Sequence, residues 1–170
     1  MLILWTLASL SLTIFLFYRL WFLRNPRITI PKNGIVSPAD GKILKIIKFN
    51  DNEPIEIFKN NRKFSAITED VAKNGHIVII LMNIFNVHWQ KAPLNGKILS
   101  IKYVKGKFLN AVFGASNLKA TAENERCEIL METEKGRIKI IPVAGIIARR
   151  IVCLAKEGQR VKKGEDISLI

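Results

Sequence analysis

Cysteine and histidine are scarce in this chain. Two cysteines, Cys127 and Cys153, cannot build a disulfide framework and lack the paired spacing of a zinc site. Two histidines, His76 and His88, are too few for a histidine-rich metal centre, and no metal is expected. Acidic residues are also few: 14 Asp and Glu stand against 27 Lys and Arg, a formal net charge of +13. Yet 49% of the chain is hydrophobic, enough for a sizeable core, which excludes a disordered basic tail. The 170 residues allow one domain of ordinary size. Secreted mini-proteins, collagen-like fibres and coiled coils are excluded at this level.

Charge is missing altogether from residues 1–18, and the apolar run resumes after Arg19 with Leu20, Trp21, Phe22 and Leu23. Eighteen helical residues extend ~27 Å, close to the ~30 Å of hydrocarbon in a bilayer. A cleavable signal peptide needs positive charge before such a run and small residues after it. Here Arg19, Arg24, Arg27 and Lys32 come afterwards, and Trp21-Phe22 stands where a cleavage site would be. We therefore expect an uncleaved anchor over residues 1–23, with Tyr18 and Trp21 at the interface. The basic flank puts residues 24–170 on the cytoplasmic side of the cell (inner) membrane. A helix buried in a soluble core is the alternative, disfavoured because the run has no polar face. With Arg19 set aside, residues 24–170 hold 26 basic and 14 acidic residues, a surplus of 12. A positive body beside an anchor favours anionic phospholipid as its partner. Nucleic acid would also suit the charge, but no zinc finger, RNA-recognition signature or basic helix repeat is present.

After the anchor, which Asn25-Pro26 terminates, short strands and turns dominate. Residues 41–49 alternate apolar positions imperfectly, and Asn50-Asp51-Asn52-Glu53-Pro54 reads as a turn. Residues 76–82 form a continuous apolar run of strand length, expected to be buried on both faces. Residues 96–105 read as another strand. Residues 127–133 and 137–143 flank Glu134-Lys135-Gly136, a hairpin in which glycine supplies the positive φ. Residues 146–154 read as a further strand, and residues 110–122 as the place for a short helix. The fold expected is a mainly β domain, a small barrel or sandwich, behind an N-terminal anchor helix.

Four segments mix polar, aromatic and small residues in ways that neither a core nor a surface requires. They are Ser37-Pro38-Ala39-Asp40-Gly41, the stretch from Phe85-Asn86-Val87-His88-Trp89 to Lys91-Ala92-Pro93, Gly106-Lys107-Phe108-Leu109-Asn110-Ala111, and Ala144-Gly145-Ile146-Ile147-Ala148-Arg149-Arg150. Each has a bland counterpart: an Asp-Gly turn is commonly only a turn, and a lone histidine is commonly structural. Adjacent arginines in a strand point to opposite faces, so at most one of Arg149 and Arg150 would face a pocket.

The order and wording of these segments resembles the pyruvoyl-dependent phosphatidylserine decarboxylases, in their short membrane-bound form. The resemblance runs from about Phe22 to Ile170. It includes Phe22-Leu23-Arg24-Asn25-Pro26-Arg27, Ser37-Pro38-Ala39-Asp40-Gly41, Asn83-Ile84-Phe85-Asn86-Val87-His88, Ala92-Pro93 with Gly96-Lys97, Gly106 to Ala111, Asn124-Glu125-Arg126, and Ala144 to Ile151. It implies decarboxylation of phosphatidylserine to phosphatidylethanolamine through a Schiff base to a pyruvoyl group. That group supplies the electron sink which no standard side chain offers. Carried over, His88 matches the histidine of the decarboxylation step and Asp40 the aspartate used in self-cleavage. The resemblance also suggests Phe85, Asn86, Lys91, Asn110 and Arg149 as substrate-binding residues. Longer members carry a second histidine where this chain has Lys91, so self-cleavage would be assisted differently. The family continues past a segment like Lys163-Gly164-Glu165-Asp166-Ile167-Ser168-Leu169-Ile170 to a Gly-Ser, whose serine becomes the pyruvoyl group on a small companion chain. That serine would lie just beyond Ile170. The chain is thus expected to be a trimmed cleavage product, a split gene product or an inactive remnant that binds anionic lipid. The family also includes homodimers.

Residues 143–170 look in addition like a lipoyl- or biotinyl-type half-barrel, with Glu157-Gly158 and Val161-Lys162-Lys163-Gly164 between strands. No Met-Lys-Met tip is present to carry a prosthetic group, and there is no room for the long helical hairpins of export-pump adaptors. The likeness is expected to reflect a lipoyl-type hybrid barrel architecture and not a carrier function.

Overall fold

The computed structural model describes residues 1–50, 68, 70–109 and 123–170. The turn expected through residues 51–54, the short helix expected over 110–122 and the candidate residue Asn110 lie outside them.

The uncharged run folds as helix α1 (Leu2–Leu16), which continues without a break into a π-helical turn (Phe17–Phe22). No side chain of α1 is buried, so the core-helix alternative fails. Leu2–Phe22 is a single helical stretch of 21 residues, long and apolar enough to cross a membrane.

The other described elements are β-strands, as a mainly β domain requires, and all their ladders are antiparallel. β1 (Lys42–Asn50) pairs with β2 (Asn74–Leu81) in a two-stranded sheet. β3 (Trp89–Lys91), β7 (Val152–Cys153) and β9 (Asp166–Leu169) form a second sheet in the order β3-β9-β7. β4 (Gly96–Val104), β5 (Arg126–Thr133), β6 (Gly136–Ile140) and β8 (Arg160–Val161) form a third in the order β6-β5-β4-β8. β5 and β6 turn at Glu134-Lys135, and Gly136 takes φ 104°, a left-handed conformation that side chains disfavour. The expected hairpin is therefore present, with the glycine in the role assigned to it.

The core lies between the second and third sheets. Ile98, Cys127, Ile129, Met131 and Ile167 are fully enclosed, with Ala92, Ile140, Ala144 and Val161 around them. Burial pushes the Cys127 thiol up to about 12, so it behaves as a small apolar side chain.

Two expectations need correction. The 76–82 run is not buried on both faces: β2 alternates exposed and half-buried residues, and Val78 lies open beside Ile43 and Ile46 on the same sheet. A continuous apolar run fits a two-sided strand, but β2 belongs to a two-stranded sheet. Nor are residues 146–154 one strand. Only Val152–Cys153 pairs; before it the chain turns, with Gly145 N–H donating to the Ala148 carbonyl at 2.8 Å. Arg149 and Arg150 are consequently both exposed and do not alternate across a sheet.

Candidate functional site

The segment after β2 is shaped by two asparagines. Asn86 N–H donates to the Asn83 carbonyl at 3.0 Å, closing a turn. The Asn83 side-chain oxygen accepts from Phe85 N–H, and the Asn86 oxygen from Asn83 N–H, both at 2.8 Å. Asparagine favours turns because its short side chain bonds nearby backbone in this way. The Asn86 oxygen is thus engaged in shaping the turn.

Ser37-Pro38-Ala39-Asp40-Gly41 packs against the outgoing chain. Asp40 Oδ2 accepts Val87 N–H at 2.8 Å, and the Pro38 carbonyl accepts Lys91 N–H at 2.8 Å. This places a carboxylate one residue from His88 and fastens the segment on both sides of the histidine. Gly41 lets the turn leave closely beside β2, since a Cβ there would lie 2.4 Å from the Leu81 carbonyl oxygen.

His88 is only 4% exposed. Its Nδ1 lies 2.9 Å from the Asn86 carbonyl oxygen. A carbonyl can only accept, so Nδ1 carries the hydrogen and Nε2 is the basic atom of the neutral ring. The Phe22 ring stacks on the imidazole with centroids 3.9 Å apart and planes inclined by 28°. Burial lowers the His88 pKa below 6.5; the Asn86 hydrogen bond opposes this, the Arg24 charge adds to it and the Asp40 charge opposes it.

A stability consequence follows. Above about 6.5 the ring is neutral in both folded and unfolded chains. Below that the unfolded chain takes up the proton first, so stability falls as pH drops toward the lower folded value. His88→Gln is expected to flatten this part of a denaturation-midpoint profile against pH; an unchanged slope would assign it to other groups.

The His88 backbone is fixed as firmly as its ring. The carbonyl accepts from Gln90 Nε2 at 2.9 Å and from Ile170 N–H at 3.2 Å. Gln90 is itself buried and takes a hydrogen bond from the Ser168 hydroxyl at 2.9 Å. β3 and β9 pair Trp89 with Leu169 and Gln90 with Ser168, so β9 brings the backbone at Ile170 to His88.

The helix end closes another side. Trp89 Nε1 donates to the Leu23 carbonyl at 3.2 Å. Arg24 donates to the Trp21 carbonyl at 2.9 Å and the Phe85 carbonyl at 2.6 Å, and lies 4.4 Å over the Trp21 ring. Phe85 meets Phe17 edge to face and is otherwise exposed. Lys91 forms an ion pair with Asp166 and lies 3.3 Å from Asn25 Oδ1, while Asn25 donates to the other Asp166 oxygen at 2.6 Å.

Asp40, Phe85, Asn86, His88 and Lys91 are therefore brought together. Arg149 belongs to other partners: it donates to the Ile146 carbonyl at 2.8 Å and lies 5.7 Å over the Phe108 ring. Sequence reasoning assigned no role to Phe22, Arg24, Gln90, Ser168 or Asp166. The block from Phe22 to Arg27 signals the first two by its position, but nothing local in the sequence pairs Gln90 with Ser168.

A buried imidazole with one nitrogen committed, near a carboxylate and an arginine, is a geometry that proton-transferring sites use. Residues 15–170 match the family model for phosphatidylserine decarboxylase. The chain is 40% identical over 168 residues to the phosphatidylserine decarboxylase proenzyme of Syntrophus aciditrophicus, covering 96% of this chain and 68% of that protein. It is 35% identical to the proenzyme of Chlorobaculum parvum, covering 95% and 67%. It is 40% identical to that of Rickettsia akari, covering 89% and 59%. The chain spans about two thirds or less of the length of these curated relatives. It belongs to the phosphatidylserine decarboxylase family.

Proposed function

We infer that this chain is the larger part of an enzyme that decarboxylates phosphatidylserine to phosphatidylethanolamine and CO₂ in phospholipid synthesis. The enzyme is completed by a small pyruvoyl-bearing chain. In this reading residues 1–23 anchor a β domain of residues 24–170 at the cytoplasmic face of the cell membrane, where its positive charge meets anionic phospholipid. The observation that carries the reading is His88: enclosed, oriented through Nδ1, and left with Nε2 for proton transfer.

The residues present fit a carbonyl group contributed by the chain segment that follows in the relatives. The Ile170 backbone bonds to His88, and Asp40 lies one residue away. When present, a pyruvoyl group supplies the carbonyl that accepts the electron pair left as the carboxylate departs. This chain's own part is to bind, orient and move a proton. The carbon–carbon bond to the carboxylate breaks, CO₂ leaves, and the α-carbon must gain one proton. His88, once protonated at Nε2, delivers that proton, returns to the neutral ring and takes up another from solvent. The lowered pKa makes the charged ring a stronger acid while making it the less populated form. Asp40 fixes the Val87–His88 backbone and is the carboxylate available to self-cleavage. Lys91, at the end of β3, is paired with Asp166 and lies close to Asn25. Phe85 and Asn86 line the approach, whereas Arg149, held by the Ile146 carbonyl and the Phe108 ring, takes no part at His88.

Purification from native membranes tests this. A companion polypeptide beginning with a pyruvoyl residue, seen by mass spectrometry, together with CO₂ release from carboxyl-labelled phosphatidylserine, is the expected result. The surplus of 12 positive charges also favours a second reading, lipid binding without turnover. Co-flotation with anionic but not neutral liposomes, with no companion chain and no CO₂, would establish it instead.

A further inference from the structure

We propose that Phe22 is a positioning residue for His88, so that the end of the apolar helix is a wall of the catalytic site as well as a tether. This deepens the decarboxylase reading and, for its kinetic arm, rests on it.

Phe22 is the single buried residue of the whole helical stretch from Leu2 to Phe22. What covers it is the site: its ring lies 3.9 Å from the imidazole on one side, and Tyr18 stacks on it at 5.7 Å and 20°. Phe22 thus stacks with both Tyr18 and His88. An imidazole held by one hydrogen bond can still swing about that bond. The Asn86 carbonyl fixes the Nδ1 edge, and a flat ring against the face fixes the plane. Together they leave Nε2 pointing in one direction.

The helix end is built to hold Phe22 there. The π turn places an i to i−5 bond, Leu23 N–H to the Tyr18 carbonyl at 3.1 Å, directly around it. Such turns add a residue to the helix and re-aim the side chains that follow. Two braces then tie this end to the residues flanking His88. Trp89 holds the Leu23 carbonyl, and Arg24 bridges from Trp21 to the Phe85 carbonyl. A contact made only for apolar burial would not need fastening on both sides of the histidine. Among the described residues, the charged groups that act on the imidazole are Arg24 from the helix end and Asp40 from the turn before β1, with opposite effects on its protonation. Phe22 adds an uncharged ring stacked on the imidazole.

The test uses the full chain in nanodiscs, with His76→Gln as background so that one histidine is observed. The ring protons of His88 are followed by NMR against pH, and turnover of phosphatidylserine is measured in the completed enzyme. Phe22→Ala and Phe22→Leu should raise the His88 titration midpoint toward the ordinary value, and Phe22→Tyr should restore it. The same two variants should lower kcat about tenfold with KM unchanged, as a misaligned catalytic group does. Where Phe22→Ala fails to fold, Phe22→Leu, which keeps apolar volume without a ring, is read alone. A midpoint that stays at the parent value in the leucine variant overturns the proposal, and so does a rise in KM with kcat intact. If even the parent releases no CO₂, the decarboxylase reading falls, while the titration still decides whether Phe22 positions the imidazole.

Discussion

Substituting alanine for His88 is expected to lower CO₂ release in the completed enzyme by a factor of about 10² to 10⁴, the usual contribution of a positioned proton donor. The size follows from how little else can do its work. Of the described groups around it, Arg24 is committed to the Trp21 and Phe85 carbonyls, and one oxygen of Asp40 to Val87 N–H. His88→Ala also removes a buried ring, so part of the loss could come from collapse of the cavity beneath Phe22. His88→Gln separates the two effects because it keeps polar volume while carrying no titratable proton. Both variants should lose turnover, and the glutamine form should keep its denaturation midpoint more closely. Retained turnover in His88→Gln would remove the histidine from the reaction.

Asn124→Ala is expected to destabilise the fold by about 3 kcal/mol, through buried backbone groups left without partners. Asn124 is fully buried and uses both ends of its amide. Its oxygen accepts Leu109 N–H at 2.9 Å, while its nitrogen donates to the carbonyls of Leu109 and Ala144 at 2.8 Å each. One side chain therefore joins the chain at residue 109 to its return at residue 124 and to the strand exit at Ala144. The backbone continues the clamp, with Lys107 N–H to the Glu123 carbonyl and Glu125 N–H to the Lys107 carbonyl. Asn124→Asp keeps the acceptor but turns a second oxygen on two carbonyls, so it should be at least as damaging. A loss of less than about 1 kcal/mol in urea unfolding would show that water takes over these bonds.

Local chemistry made much of the fold legible. An uncharged run with no polar face gave α1, and the glycine after Glu134-Lys135 marked the β5–β6 hairpin. The strand expected at residues 96–105 is β4, and the strand expected at 41–49 is β1. What stayed hidden depends on partners far away in sequence. The apolar residues of β2 have the composition of a buried strand, and only the sheet's width decides that Val78 faces outward. Residues 146–154 have β-branched content, but the turn at Gly145–Ala148 consumes the backbone bonds that a strand would have used.

The site divides in the same way. His88 and Asp40 stand in short segments whose composition is unusual enough to single them out. Lys91 was legible as a basic residue beside the site, but its pairing with Asp166 spans 75 positions and leaves no periodic trace. The Phe22–His88 stack likewise joins a residue that reads as membrane helix to one that reads as catalysis.

The docking of the helix end has a practical consequence for anyone seeking a water-soluble version of this protein. Trimming at Pro26, the obvious sequence boundary, would strip away the cover over His88 and the oxygen that Trp89 grips. A shortened form that is to be judged fairly has to begin before Tyr18, with solubility sought by replacing the outward-facing leucines and not by cutting closer.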